Sequence, residues 1–129
     1  NAVLSFNQGL YVEMGKSTAW SALKVYLSSK LAWDVNADMD LLIDEFFEEY
    51  FEPAAYSMRK MFDTFKQQAE WNQEHHGYTG PDSIYVEALR KEFWPERLLT
   101  GWLGYTDEAL AAIDSLKNTD MIRRIISIA

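Results

Sequence analysis

The stretch from Trp33 to Phe65, WDVNADMDLLIDEFFEEYFEPAAYSMRKMFDTF, constrains the fold more than any other part of the chain. Met39, Leu42, Ile43, Phe46, Phe47 and Tyr50 recur at spacings of three and four, which gathers them on one side of an α-helix. Asp40, Asp44, Glu45, Glu48 and Glu49 fall mainly on the other side. Pro53 has no amide hydrogen and suits the first turn of a helix, so it predicts the start of a second one. From there Ala54, Ala55, Met58, Met61, Phe62, Phe65 and Ala69 continue the same period. Two amphipathic helices with a tight joint pack against each other as a hairpin.

The remaining segments extend this pattern. Trp20, Leu23, Leu27 and Leu31 mark an apolar stripe running to about Trp33, preceded by turn and cap chemistry at Gly15 and Ser17 or Thr18. Asp34 to Asp38 is a polar joint, with Asn36 or Asp38 capping the next helix. The helix begun at Pro53 is expected to fade around Trp71 to His75. Asn72 to Pro81, with its two glycines and a proline, reads as the clearest loop. Asp82 or Ser83 caps a helix through Ile84, Leu89 and Phe93, which Trp94-Pro95 interrupts. Leu98, Leu99, Trp102 and Leu103 resume helical spacing, weakened by Gly101 and Gly104. Thr106 is expected to cap a separate helix through Ala109, Leu110, Ile113 and Leu116. Asn118 then reads as a stop, and Thr119 as the cap of a last helix through Ile122, Ile125 and Ile126. The expected fold is all-α, an antiparallel bundle of five to seven helices over residues 17–129. An extended arm precedes it at residues 1–16, where Val3 to Glu13 is β-prone but has no partner strand.

Composition excludes several classes of function. The chain has 129 residues, the size of one domain, with 48% hydrophobic and 15% aromatic content, so it can bury a core. A formal net charge of −8 disfavours nucleic acid and anionic membrane surfaces as partners. No apolar run reaches the roughly 20 residues that cross a bilayer. The absence of cysteine removes disulfides and thiol chemistry but does not locate the protein. Asn1-Ala2 reads as a tag scar, and the chain as a piece excised from something larger.

Few side chains offer chemistry. Asp44 and Glu48, or Glu45 and Glu49, are helix-face neighbours, but opposite an apolar stripe they are expected in water rather than tuned as an acid–base pair. His75 and His76 diverge by roughly 100° on a helix and make a poor metal pair even with Glu70 and Glu74 nearby. No cofactor is expected: Gly77 and Gly80 lack the strand and lysine of a phosphate loop. No serine sits in a nucleophile-elbow context. Trp20, Trp33, Phe46, Phe47, Phe62, Phe65 and Trp102 lie at core-like positions. Trp71, Tyr78, Tyr85 and Trp94 border the long loop and joints, where exposed rings would suit the apolar faces of sugars.

Three blocks together resemble a known family. They are Phe6-Asn7-Gln8-Gly9 followed by Leu23, Tyr26-Leu27, Lys30-Leu31 and Trp33-Asp34; Asp38-Met39-Asp40 leading to Glu45-Phe46, Tyr50-Phe51 and Pro53-Ala54-Ala55; and Phe93-Trp94-Pro95 with Leu98 and then Arg123-Arg124. The pattern resembles the C-terminal part of a bacterial domain-of-unknown-function family associated with glycoside hydrolases. Tyr50-Phe51-Glu52-Pro53 departs from the Tyr-Tyr-Gly-x that members usually carry. The resemblance implies that the arm corresponds to the last strand of a barrel and that the helices are appended to it. It further implies an exported protein, periplasmic or at the cell surface. Gln8, Tyr11 and Glu13 would then stand at the active-site end of that barrel. The paired carboxylates of a glycosidase would come from earlier strands, so this piece is not expected to catalyse by itself. The expected role is accessory, supporting carbohydrate binding through Gln8, Tyr11, Glu13, Trp71, Tyr78 and Trp94. Its expected partners are the barrel domain and an oligosaccharide. A protein-assembly or homodimer module without sugar contact is the rival reading.

Overall fold

The computed structural model describes residues 20–76, 93–116 and 118–128, and they are all-α. The helices are α1 (Ser21–Trp33), α2 (Met39–Phe51), α3 (Ala55–His76), α4 (Glu96–Ile113) and α5 (Thr119–Ile126). Short 3₁₀ turns at Glu52–Ala54 and Asp114–Leu116 join α2 to α3 and extend α4. The arm proposed at residues 1–16, the capping at residues 15–18 and the helix expected after Asp82 lie outside the described residues.

The hairpin expected around Pro53 is present. Asp38 caps α2, its carboxylate accepting from the amides of Asp40 and Leu41 at 2.9 and 3.2 Å. This answers two of the amide hydrogens that a helix start leaves open. Pro53 occupies the 3₁₀ turn between α2 and α3, where its missing donor costs nothing. Glu52, the last cap of α2, is the one described non-glycine residue with positive φ, at 49°.

Cross-helix contacts run in opposite senses between α1 and α2 and between α3 and α4, so each of these pairs is antiparallel. Around α1 and α2, Trp20 meets Phe47, Tyr26 meets Phe46 and Lys30 meets Glu45, while α2 is tied to α3 by Asp44 with Arg59 and by Phe47 with Phe62. Between α3 and α4, Ser57 pairs with Glu108, Thr64 with Trp102, and Gln68 with Phe93. The core is one cluster in which Phe47, Phe51, Met58, Ile113, Met121 and Ile125 are fully buried. Burying each such side chain stabilises the fold by roughly 1.5–3 kcal/mol. The short α5 is held across the bundle by Arg124. Its Nη1 donates to the Tyr50 carbonyl at 2.9 Å, satisfying an open acceptor in the last turn of α2, and its guanidinium lies 4.7 Å from the Tyr50 ring.

Four expectations are corrected. Trp33 is 94% exposed rather than core. It stands two residues past Leu31, about 200° around the helix from the buried stripe. Asn72 to His76 are helical, because Asn72 is buried against the start of α4 and extends α3 beyond the expected fade. Thr106 caps nothing: α4 is continuous from Glu96 to Ile113, and the Thr106 hydroxyl donates back to the Trp102 carbonyl at 3.0 Å. Packing of Trp102, Ala109 and Ile113 outweighs the poor helix propensity of Gly101 and Gly104. Finally, Asn118 rather than Thr119 caps α5, its side chain accepting from the amides of Asp120 and Met121 at 3.0 and 3.2 Å.

Candidate functional site

The C-terminal end of α3 and the start of α4 are fastened by amide side chains. Gln68 Nε2 and Asn72 Nδ2 both donate to the Phe93 carbonyl, at 2.9 and 3.0 Å, and Gln68 also donates to Asn72 Oδ1 at 3.1 Å. Two residues expected to contact sugar flank this bridge. Trp71 is 45% exposed, and its ring stacks on His75 at 4.3 Å with 14° between planes. The His75 Nδ1 lies 3.0 Å from the Trp71 carbonyl, which fixes the imidazole beneath the indole. Trp94 is only partly accessible: it stacks on Phe65 at 5.6 Å and tilts against Trp102 at 5.9 Å. It thus belongs to the aromatic layer between α3 and α4 as much as to the surface. Gln8, Tyr11, Glu13 and Tyr78 lie outside the described residues.

A second feature, which the sequence reading did not find, is a groove of about 490 Å³ between the second half of α2 and the first half of α3. Phe47 forms part of its lining, and Glu48 and Glu52 stand along the α2 side. Tyr56, Arg59 and Lys60 line the α3 side. Arg59 fastens the two sides together. Its Nε lies 3.2 Å from Asp44 and 3.6 Å from Asp63, while its guanidinium lies 5.6 Å from the Phe47 ring and 5.7 Å from Phe62. Those ring faces offset the cost of enclosing Arg59 Nη1, which has no hydrogen-bond partner among the described residues. Lys60 Nζ sits 4.9 Å from the centre of the Tyr56 ring, and the neighbouring Tyr56 hydroxyl raises the pKa of the ammonium. The Tyr56 ring is 70% exposed and leaves a broad aromatic face at the mouth.

A third cluster bridges α1 and α2. Lys30 Nζ donates to Glu45 Oε1 at 3.2 Å and lies 5.3 Å from the Tyr26 ring. The Tyr26 hydroxyl is enclosed beside this pair without a well-formed hydrogen bond. Burial, followed by the Glu45 carboxylate, raises its pKa. Tyr26 and then Lys30 lower the pKa of Glu45, and Glu45 raises that of Lys30. The cluster is a structural clasp on the surface between α1 and α2.

Among the described residues no group of three or more histidines and carboxylates converges to hold a metal ion, and no helix is long and apolar enough to cross a membrane. The acidic residues of α2 face outward, as their period requires. The signals that could have revealed the groove were the i, i+4 pair Arg59–Asp63 and the outward Tyr56, but its walls exist only once α2 and α3 are docked.

Residues 4–63 match the family model described as Domain of unknown function (DUF4838), a span of just under half of the chain. The matched stretch contains α1, α2 and the first part of α3, and every residue lining the groove falls within it. Trp71 and Trp94 lie beyond it. No curated protein and no solved structure matches the chain.

Proposed function

We propose that this chain is the accessory helical region of an exported glycoside-hydrolase-like protein, supporting carbohydrate binding beside a barrel domain. The observation that carries the reading is the match over residues 4–63, which includes two of the blocks that resemble such proteins, Phe6 to Asp34 and Asp38 to Ala55. The described geometry supplies exposed aromatic rings at Trp71 and Tyr56 on an all-α scaffold. Indole and phenol rings bury the apolar face of a sugar while their edges stay wet. The paired carboxylates of a glycosidase would come from the barrel domain, so the contribution of this chain is binding and support. Calorimetric titration of the chain against neutral and acidic oligosaccharides tests this. Saturable binding to any of them supports the reading, and silence across the whole panel refutes it.

The rival reading, an assembly module, is favoured by one observation. Trp33, Val35, Met39 and Leu41 are all exposed at the corner between α1 and α2. Light scattering separates the readings. A concentration-dependent dimer that Trp33→Glu and Leu41→Glu dissolve favours assembly, and a monomer at all concentrations removes it.

A further inference from the structure

The α2–α3 groove brings hydrogen-bond acceptors, donors and an aromatic face together, and this mixture limits what can fill it. Glu48 and Glu52 form no ion pair among the described residues, so the α2 side presents carboxylates that no described cation neutralises. Arg59 and Lys60 present positive donors from the α3 side. An anionic ligand drawn to Arg59 and Lys60 would meet Glu48 and Glu52, with Asp44 and Asp63 behind them. A cationic ligand drawn to the carboxylates would meet Arg59 and Lys60 and could accept from neither. A ligand rich in hydroxyl groups is suited to both sides, because each hydroxyl donates one hydrogen bond and accepts others. The volume of about 490 Å³ lies within the roughly 300–1,000 Å³ of small-molecule sites.

The backbone at Glu52 gives an independent reason to regard the groove as functional. Its φ of 49° and ψ of −121° suit glycine and strain any other residue. A side chain held in such a conformation marks a place where strain is tolerated in exchange for position. Here the strained residue carries one of the two unpaired carboxylates of the groove.

We propose that the groove binds a neutral polyhydroxylated ligand, a sugar or short oligosaccharide. Glu48 and Glu52 accept from its hydroxyls, Arg59 and Lys60 donate to them, and one ring face rests on Tyr56. The proposal rests on the carbohydrate reading above and moves the contact from Trp71 to the α2–α3 hairpin.

The test is calorimetric titration of the chain with neutral oligosaccharides of glucose, xylose and mannose, with oligogalacturonate and with spermidine. Glu48→Gln, Glu52→Gln, Tyr56→Ala and Trp71→Ala are titrated in parallel, each first checked for a native circular dichroism spectrum. The expected result is saturable binding of a neutral oligosaccharide, weakened at least tenfold by Glu52→Gln and by Tyr56→Ala and unchanged by Trp71→Ala. Neutral-sugar binding that survives the groove variants but is lost with Trp71→Ala overturns the groove and leaves the carbohydrate reading standing. Binding of oligogalacturonate or spermidine alone overturns the ligand class. No saccharide bound at all overturns both the groove and the carbohydrate reading.

Discussion

Asn72, 1% exposed within α3, donates a 3.0 Å hydrogen bond to the carbonyl of Phe93, and that bond fixes the backbone just before α4 against α3. Its carbonyl oxygen is occupied by Gln68 at 3.1 Å, so both ends of the buried amide are used. Leaving a buried polar group without its partner costs about 1–3 kcal/mol. Asn72→Ala is therefore expected to lower stability by about 2 kcal/mol in urea unfolding. Asn72→Asp should cost more at neutral pH, because a buried carboxylate would face the Phe93 carbonyl with no proton to donate. The deficit of Asn72→Asp should shrink as pH falls and the carboxyl protonates. An Asn72→Asp protein as stable as wild type at pH 7 would contradict this account of the bridge.

Gly101 and Gly104 lie inside the continuous α4, and a Cβ built at either position meets nothing within 4 Å. No turn or close approach requires a glycine there. Replacing each by alanine removes the unfolded-state entropy that glycine adds, worth about 0.5–1 kcal/mol per site. Gly101→Ala and Gly104→Ala are expected to raise the midpoint of urea unfolding singly and nearly additively when combined. A loss of stability in either variant would mean that α4 is not helical through that position.

The same two glycines show why part of the fold was legible in the sequence and part was not. The α2–α3 hairpin could be read because its pattern is local: Leu42, Ile43, Phe46 and Phe47 are all buried on the period that their spacing defines. The continuity of α4 could not, because it depends on Trp102 donating to Thr64 at 2.8 Å and on Ala109 and Ile113 entering a shared core. Asn72 looked like loop composition for a similar reason, since its partner stands 21 positions along the chain. The candidate sites divide in the same way. Trp71 was legible as an aromatic beside a polar stretch. The groove was not, because Arg59 bridges Asp44 on one helix and Asp63 on another, and no spacing rule connects Glu52 with Tyr56 across a turn.

The Lys30–Glu45 clasp predicts a pH signature without a large stability effect, since both groups are about half exposed. Tyr26 and Lys30 lower the pKa of Glu45 below its ordinary value. The stabilisation from this carboxylate is present above the ordinary glutamate range and is lost as pH falls through the depressed folded value. For Lys30, raised by Glu45, the contribution is present below the ordinary lysine range and is lost as pH rises through the elevated folded value. Carbon-detected NMR titration should show Glu45 protonating at lower pH than a model glutamate. Lys30→Met and Tyr26→Phe should each move it back toward the ordinary value. A Glu45 titration unchanged by both substitutions would show that the clasp does not persist in solution.

Glu52 is the one described non-glycine residue whose backbone asks for glycine. A non-glycine residue in a sparsely populated backbone region costs about 1–3 kcal/mol. Glycine would relieve that strain but adds unfolded-state entropy of about 0.5–1 kcal/mol. Glu52→Gly is thus expected to stabilise the protein by about 1 kcal/mol, whereas Glu52→Gln keeps the strain and leaves stability nearly unchanged. Urea unfolding of the two variants side by side separates backbone from side chain. If the groove binds a neutral sugar through Glu52, Glu52→Gly should be the more stable protein and the weaker binder, the trade expected when a strained residue serves a site. Equal stabilisation by Glu52→Gly and Glu52→Gln would instead trace the cost at this position to carboxylate repulsion along Asp44, Glu48 and Glu52, and would remove backbone strain from the account of the groove.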